Sequence, residues 1–108
     1  MEILYLNLIP GSIPPVCEAT QNDVGRTIRF KLVDGFVPKI LSGTETLKLR
    51  ARKSNGSIET LSLTNSESDY VDVVTTQDLT DTPGFVYCKI RIDGIGTQSF
   101  KMRVEAQP

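Results

Sequence analysis

Histidine and tryptophan are absent from the 108 residues, cysteine occurs only twice and alanine only three times. Without histidine, no Ser-His-Asp or Cys-His arrangement can form and no imidazole is available to a metal. The two cysteines, Cys17 and Cys88, are too far apart for a C-x-x-C zinc or redox motif. Neither G-x-G-x-x-G nor G-x-x-x-x-G-K-S/T occurs. The expectation is a protein that is not an enzyme and uses no cofactor and no metal. No apolar run approaches the roughly 20 residues of a membrane-spanning helix. The apolar start is flanked by Glu2, interrupted by Asn7 and followed by no small-residue cleavage site, so it does not read as a signal peptide. That predicts a chain made and kept, or assembled, in a cytosol. A formal net charge of -1 gives no overall pull toward nucleic acid or an anionic membrane, and neither is expected as a partner.

What is abundant is β-branched. Valine, isoleucine and threonine supply 29 residues, and such side chains fit a pleated surface better than a helix. Period-2 alternation, the mark of a half-buried strand, runs through Arg26–Val33 with Ile28, Phe30 and Leu32 on one face. It recurs in Thr46–Lys53 (Leu47, Leu49, Ala51 inward), in Phe85–Ile92 (Val86, Cys88, Ile90, Ile92 inward) and in Gln98–Glu105 (Phe100, Met102, Val104 inward). Val16–Thr20, Ile58–Leu63 and Tyr70–Thr75 read as further strands, and Thr76–Leu79 as one helical turn. Asn55-Gly56 between alternating segments signals a hairpin, and Asp93-Gly94-Ile95-Gly96 a turn. Seven to eight short antiparallel strands at this spacing predict an all-β, immunoglobulin-like β-sandwich.

The domain organisation expected is an N-terminal arm over residues 1–15 and a single sandwich domain over residues 16–108. Three prolines between Pro10 and Pro15 forbid regular pairing there. Ile3, Leu4, Leu6, Leu8 and Ile9 are too apolar for a free tail. They form a candidate docking arm, pairing along a sheet edge of its own subunit or of a neighbour.

Cys17 and Cys88 admit two readings. Reduced core thiols suit a cytosolic protein; a bridge would resemble that of antibody domains, which add a buried tryptophan that this chain lacks. Tyr87 sits one position off a tyrosine corner and should point outward. Asp69, Asp72, Asp78 and Asp81 do not have calcium-loop spacing and read as loop polarity. Aromatic residues are few, so a glycan-binding face has little support.

The basic residues are better organised. Lys48, Arg50, Arg52, Lys89, Arg91, Lys101 and Arg103 all take outward positions on three strands that neighbour one another in an immunoglobulin-like sheet. They form either a solvated face offset by nearby carboxylates or a docking face for an acidic partner. Stacking aromatics interleaved with them would point to nucleic acid, and from the sequence these are expected to be missing.

The order of features resembles the N-terminal domain of the phage baseplate upper protein family (BppU-type). The residues that carry the resemblance are Gln21-Asn22-Asp23, the strand Thr27-Ile28-Arg29-Phe30-Lys31-Leu32-Val33 closed by Asp34-Gly35, and the loop Ile40-Leu41-Ser42-Gly43. They continue with the Asn55-Gly56 hairpin, Gly84 before the long strand to Ile92, and Phe100-Lys101-Met102-Arg103-Val104. The resemblance spans residues 16–105 and has no counterpart for residues 1–15. It implies an immunoglobulin-like fold and a virion structural part, assembled in the host cytoplasm, that attaches the receptor-binding apparatus to the tail. Its partners would be other tail or baseplate proteins, with a homo-oligomer possible in principle, and it implies no catalytic residue. The ending, just past the last strand, is what a domain cut from a longer protein would have. A glycan- or receptor-binding module is the alternative function, and a hydrolase with carboxylate chemistry the least favoured.

Overall fold

Alternating apolar residues bury themselves by pairing strands into two sheets that face each other. The computed structural model describes residues 2–9 and 13–107; Pro10, Gly11 and Ser12, part of the expected proline break, lie outside that range. The elements are β1 (Glu2–Asn7), β2 (Val16–Thr20), β3 (Thr27–Asp34), β4 (Val37–Pro38), β5 (Leu47–Arg52), β6 (Ile58–Ser62), β7 (Tyr70–Val74), α1 (Gln77–Thr80), β8 (Gly84–Ile92) and β9 (Ile95–Glu105). One sheet has β3 at its centre, with β1 on one side and β4 and β7 on the other; the second runs β2-β9-β8-β5-β6. The β9-β8-β5 order is that of an immunoglobulin G-F-C sheet, and β6 takes the place of the strand that variable-type domains add.

The fold is the all-β sandwich expected, with two corrections. The described strands number nine rather than seven or eight, because β1 is a strand and because Val37–Pro38 makes a two-residue hairpin with Val33 and Asp34. The sheets are mixed rather than antiparallel: β1 runs parallel to β3 and β2 parallel to β9. Side-chain alternation encodes which face is buried but not the direction of the neighbouring strand. Only a tight hairpin dictates antiparallel pairing, and neither β1 nor β2 reaches its partner through one.

The inward residues form one cluster, with Ile28, Phe30 and Leu32 from β3, Leu49 from β5, Val86 and Ile90 from β8, and Phe100 and Met102 from β9 all buried. Phe30 meets Phe100 across the sheets with ring centroids 4.4 Å apart and planes tilted by 41°, a favoured aromatic geometry. Cys17 and Cys88 are both buried and no disulfide joins them. The Cys17 thiol donates to the Lys101 carbonyl, and burial pushes the Cys88 thiol pKa up.

Turn chemistry matches the hairpins. Asp93 and Gly94 both have positive φ (50° and 84°), as a two-residue type I′ turn between β8 and β9 requires. At Asn55-Gly56 only Gly56 is positive (89°). The Gly56 N–H donates to the Lys53 carbonyl and the Lys53 N–H to Ser57, which is a three-residue loop ending in a glycine bulge. Gly84 has φ 117°, and a Cβ there would come within 2.9 Å of Ser54.

Two polar clusters brace the ends. Lys53, only 6% exposed, donates to the Asp78 carbonyl and to Asp81 Oδ1, both at 2.9 Å, tying the β5–β6 hairpin to α1. The Glu45 carboxylate accepts from the Ser42 N–H and hydroxyl and from the Gly43 N–H at 2.9–3.2 Å. The Ser42 N–H above all, then its own backbone N–H, the Ser42 hydroxyl and Asn65, lower its pKa from 4.5 to about 2.

Two outcomes follow. Phe30→Ala should lower unfolding stability by about 3–5 kcal/mol in a urea titration; a variant within about 1 kcal/mol of wild type would place Phe30 outside the shared core. A depressed carboxylate pKa contributes stability that is present above the unfolded value and lost as pH falls through the folded one. The stability advantage of wild type over Glu45→Gln should therefore persist above pH 4.5 and fade toward pH 2. Urea midpoints that differ by the same amount at both ends of that window would contradict it.

Candidate docking face

Each inward residue of β5, β8 and β9 sets its neighbours outward, and those neighbours are basic. Lys48, Arg50, Arg52, Lys89, Arg91 and Arg103 are exposed and Lys101 is half-buried. Because β5, β8 and β9 are adjacent, all seven share the outer face of the five-stranded sheet. Lys48 stands directly opposite Arg91, and Arg50 opposite Lys89. Like charges in such positions repel, by about 0.2–1 kcal/mol per pair. Room for one of them is made by a glycine: a Cβ on Gly96 would lie 3.2 Å from the Lys89 Cε.

The seven are not equally placed. Arg103 is offset by carboxylates, 3.6 Å from Glu18 and 3.2 Å from Glu105, and belongs to a neutral corner of the face rather than to its cationic centre. Lys101 lies over the rings of Phe85 and Tyr87, and Arg52 over Tyr87, at 5.6–5.7 Å. Lys48, Arg50, Lys89 and Arg91 form no ion pair among the described residues. Asp93, which lines a rim depression together with Lys48 and Arg91, uses its Oδ1 to accept the Thr46 N–H. A shallow depression of about 260 Å³ crosses the centre, lined among others by Arg50, Arg52, Ile58, Tyr87, Lys89 and Arg91.

Phe85 and Tyr87 correct the expectation that aromatics are missing from the stripe. Both are outward residues of β8, 42% and 46% exposed. Their position was legible, since both alternate with the buried Val86 and Cys88. Each ring has at least one of the protein's own cations over it. Ile58 was also missed: it lies on β6, whose outward side holds no charge that would have drawn it into the pattern.

The opposite outer face is balanced. Arg29 makes two bonds to the Asp72 carboxylate at 2.8 and 3.0 Å, which raises the arginine pKa and lowers the aspartate's. Lys31 is 3.5 Å from Asp69. Among the described residues, no group of three or more cysteine, aspartate or glutamate side chains is arranged to hold a metal ion.

The candidate arm is only in part a surface. β1 lies along β3 of its own sheet. Leu6 is fully buried and Leu4 and Leu8 pack against the core, so these three are held by their own subunit rather than offered to a partner. Ile3 and Ile9 are about half exposed. Asn7 clamps the strand end: its side-chain oxygen accepts the N–H groups of Gly35 and Ile9, and its own N–H donates to Gln98.

No family model matches the chain, and no curated protein sequence matches it. Among solved structures, it is similar to the N-terminal domain of phage TP901-1 ORF48, with a TM-score of 0.73 and 15% identity, over 97% of this chain and 99% of that one. That likeness shows a shared fold over the aligned residues. Drosophila Semaphorin 2a aligns with a TM-score of 0.48 and 13% identity, over 89% of this chain and 15% of that one.

The face generates its own stability test. Lys89→Glu replaces a like-charge pair opposite Arg50 with an attractive one and should stabilise the fold by some tenths of a kcal/mol, about 0.2–1. The gain should shrink as salt screens it. A destabilised variant, or a gain indifferent to salt, would mean that the opposing cations do not repel.

Proposed function

We propose that the chain is a non-enzymatic structural module of a phage tail or baseplate, located in the virion and assembled in the host cytoplasm. In this reading it attaches receptor-binding or fibre components to the tail, and the outer face of β5, β8 and β9 is its docking surface. The observation that carries the reading is the cationic centre of that face, where Lys48, Arg50, Lys89 and Arg91 have no carboxylate partner among the described residues. It stands on a fold shared over 97% of its length with a phage domain. Repulsion built into a sheet is a cost to folding, and an acidic partner offsets it while gaining steering and register.

The test is association with the proteins encoded beside it, using wild type and the triple change Arg50→Gln, Lys89→Gln, Arg91→Gln. Wild-type binding should weaken steeply with salt. The triple variant should bind about tenfold more weakly and with a flatter salt dependence. Equal binding and equal salt dependence would leave the face as solvated surface, and absence of the chain from purified particles would remove the virion role.

A further inference from the structure

The five-stranded sheet ends on β6, and no described strand pairs with its far side. At the two ends of the β5–β6 pair, the Lys53 N–H donates to the Ser57 carbonyl and the Leu63 N–H to the Leu47 carbonyl. Antiparallel ladders alternate between bonded and non-bonded pairs. Glu59 and Leu61 therefore turn their backbone groups toward β5, whereas Ile58, Thr60 and Ser62 turn theirs to the open edge. Natural edges are blunted with lysine, proline or a bulge. β6 reads Ile58-Glu59-Thr60-Leu61-Ser62 and pairs with β5 in unbroken register, so it carries no lysine, proline or bulge; its one charge, Glu59, turns to the inner side, 4.0 Å from Lys53.

The two sides of this edge differ. On the outer side, Thr60 and Ser62 stand opposite Arg50 and Lys48. Their small side chains leave the cations uncovered, and a shallow depression of about 300 Å³ opens there between Lys48, Arg50, Ile58, Thr60 and Arg91. On the inner side, Leu61 and Leu63 are only partly buried against the core. A gap of about 230 Å³ separates them from Asp72, Val74 and Thr76.

We propose that β6 accepts an extended segment of a partner protein as a further strand, one in which carboxylates alternate with apolar side chains. The carboxylates lie on the outer face within reach of Lys48 and Arg50, and the apolar side chains cover Leu61 and Leu63. Main-chain bonds to Ile58, Thr60 and Ser62 supply affinity, and the alternate side chains supply specificity. Charge argues against a second copy as the occupant, since pairing β6 with β6 would set two cationic faces side by side in one sheet. The inference rests on the docking-face reading and names the partner's chemistry at its edge.

The probe is a short labelled peptide in which glutamate alternates with valine, titrated against the whole chain and followed by fluorescence anisotropy. It should bind, and the matching lysine–valine peptide should not. Lys48→Gln with Arg50→Gln should weaken binding roughly five- to tenfold. Methylating the backbone nitrogens of the glutamates abolishes an antiparallel addition, and methylating those of the valines a parallel one, so one methylated peptide should bind and the other should not. Equal binding of both, or no binding of the parent peptide, overturns strand addition. Neither result touches the docking face itself, which fails only if the Arg50, Lys89 and Arg91 triple variant associates with the tail proteins as wild type does.

Discussion

Phe30 against Phe100, one ring from each sheet, is the contact on which the two layers are registered. A strand has period 2, so fixing one inward residue fixes the other side chains along its regular stretch, which in β9 is the part beyond the irregularity at Thr97 and Gln98. With Phe100 inward, Lys101 and Arg103 stand outside; Cys88 is its cross-strand neighbour, and pairing continues to Ala51. Lys89, Arg91, Arg50 and Arg52 then follow on the same outer face. A slip of one residue would bury four or more cations and expose the core, a cost far beyond the 5–15 kcal/mol or so that stabilises a typical domain. The core thus specifies the cationic outer face as firmly as it specifies the fold.

The molecule handles charge in three ways. Lys53 is buried and bonded to the Asp78 carbonyl and to Asp81, which it helps hold ionised; removing the Asp81 carboxylate would leave a buried ammonium short of its counter-charge. Arg29 and Lys31 on the first sheet have carboxylates at hand. On the second sheet Lys48 stands opposite Arg91 and Arg50 opposite Lys89, with no ion pair to any of the four among the described residues. The imbalance is local, since the chain as a whole carries a net charge of only -1.

Much of this was legible in the residues. Alternation gave the faces of β3, β5, β8 and β9, and with them all seven basic positions. Asp93-Gly94 and Asn55-Gly56 marked their hairpins. What alternation could not carry was partner direction, so the parallel pairings of β1 and β2 were missed. It also could not carry distance between residues remote in sequence: Arg103 finds Glu18 only because β2 lies beside β9. Asn7, which reads as an interruption of an apolar run, is the clamp that holds β1 against Gly35 and Gln98. Lys53 falls on the inward side of its strand by the same alternation as Leu47, Leu49 and Ala51, but the Asp78 carbonyl and Asp81 carboxylate that hold its charge there come from α1 and its end. In each case the deciding partner is tens of residues away, where local pattern is silent.

The measurement that bears most directly on the docking face is lysine acetylation of the assembled particle against the isolated domain. Lys48 and Lys89, both exposed at the cationic centre, should be labelled readily in the isolated domain and protected in the particle. Lys39, beside the β3–β4 hairpin of the other sheet, should be labelled alike in both. Equal labelling of Lys48 and Lys89 in the two states would contradict a face that is covered on assembly.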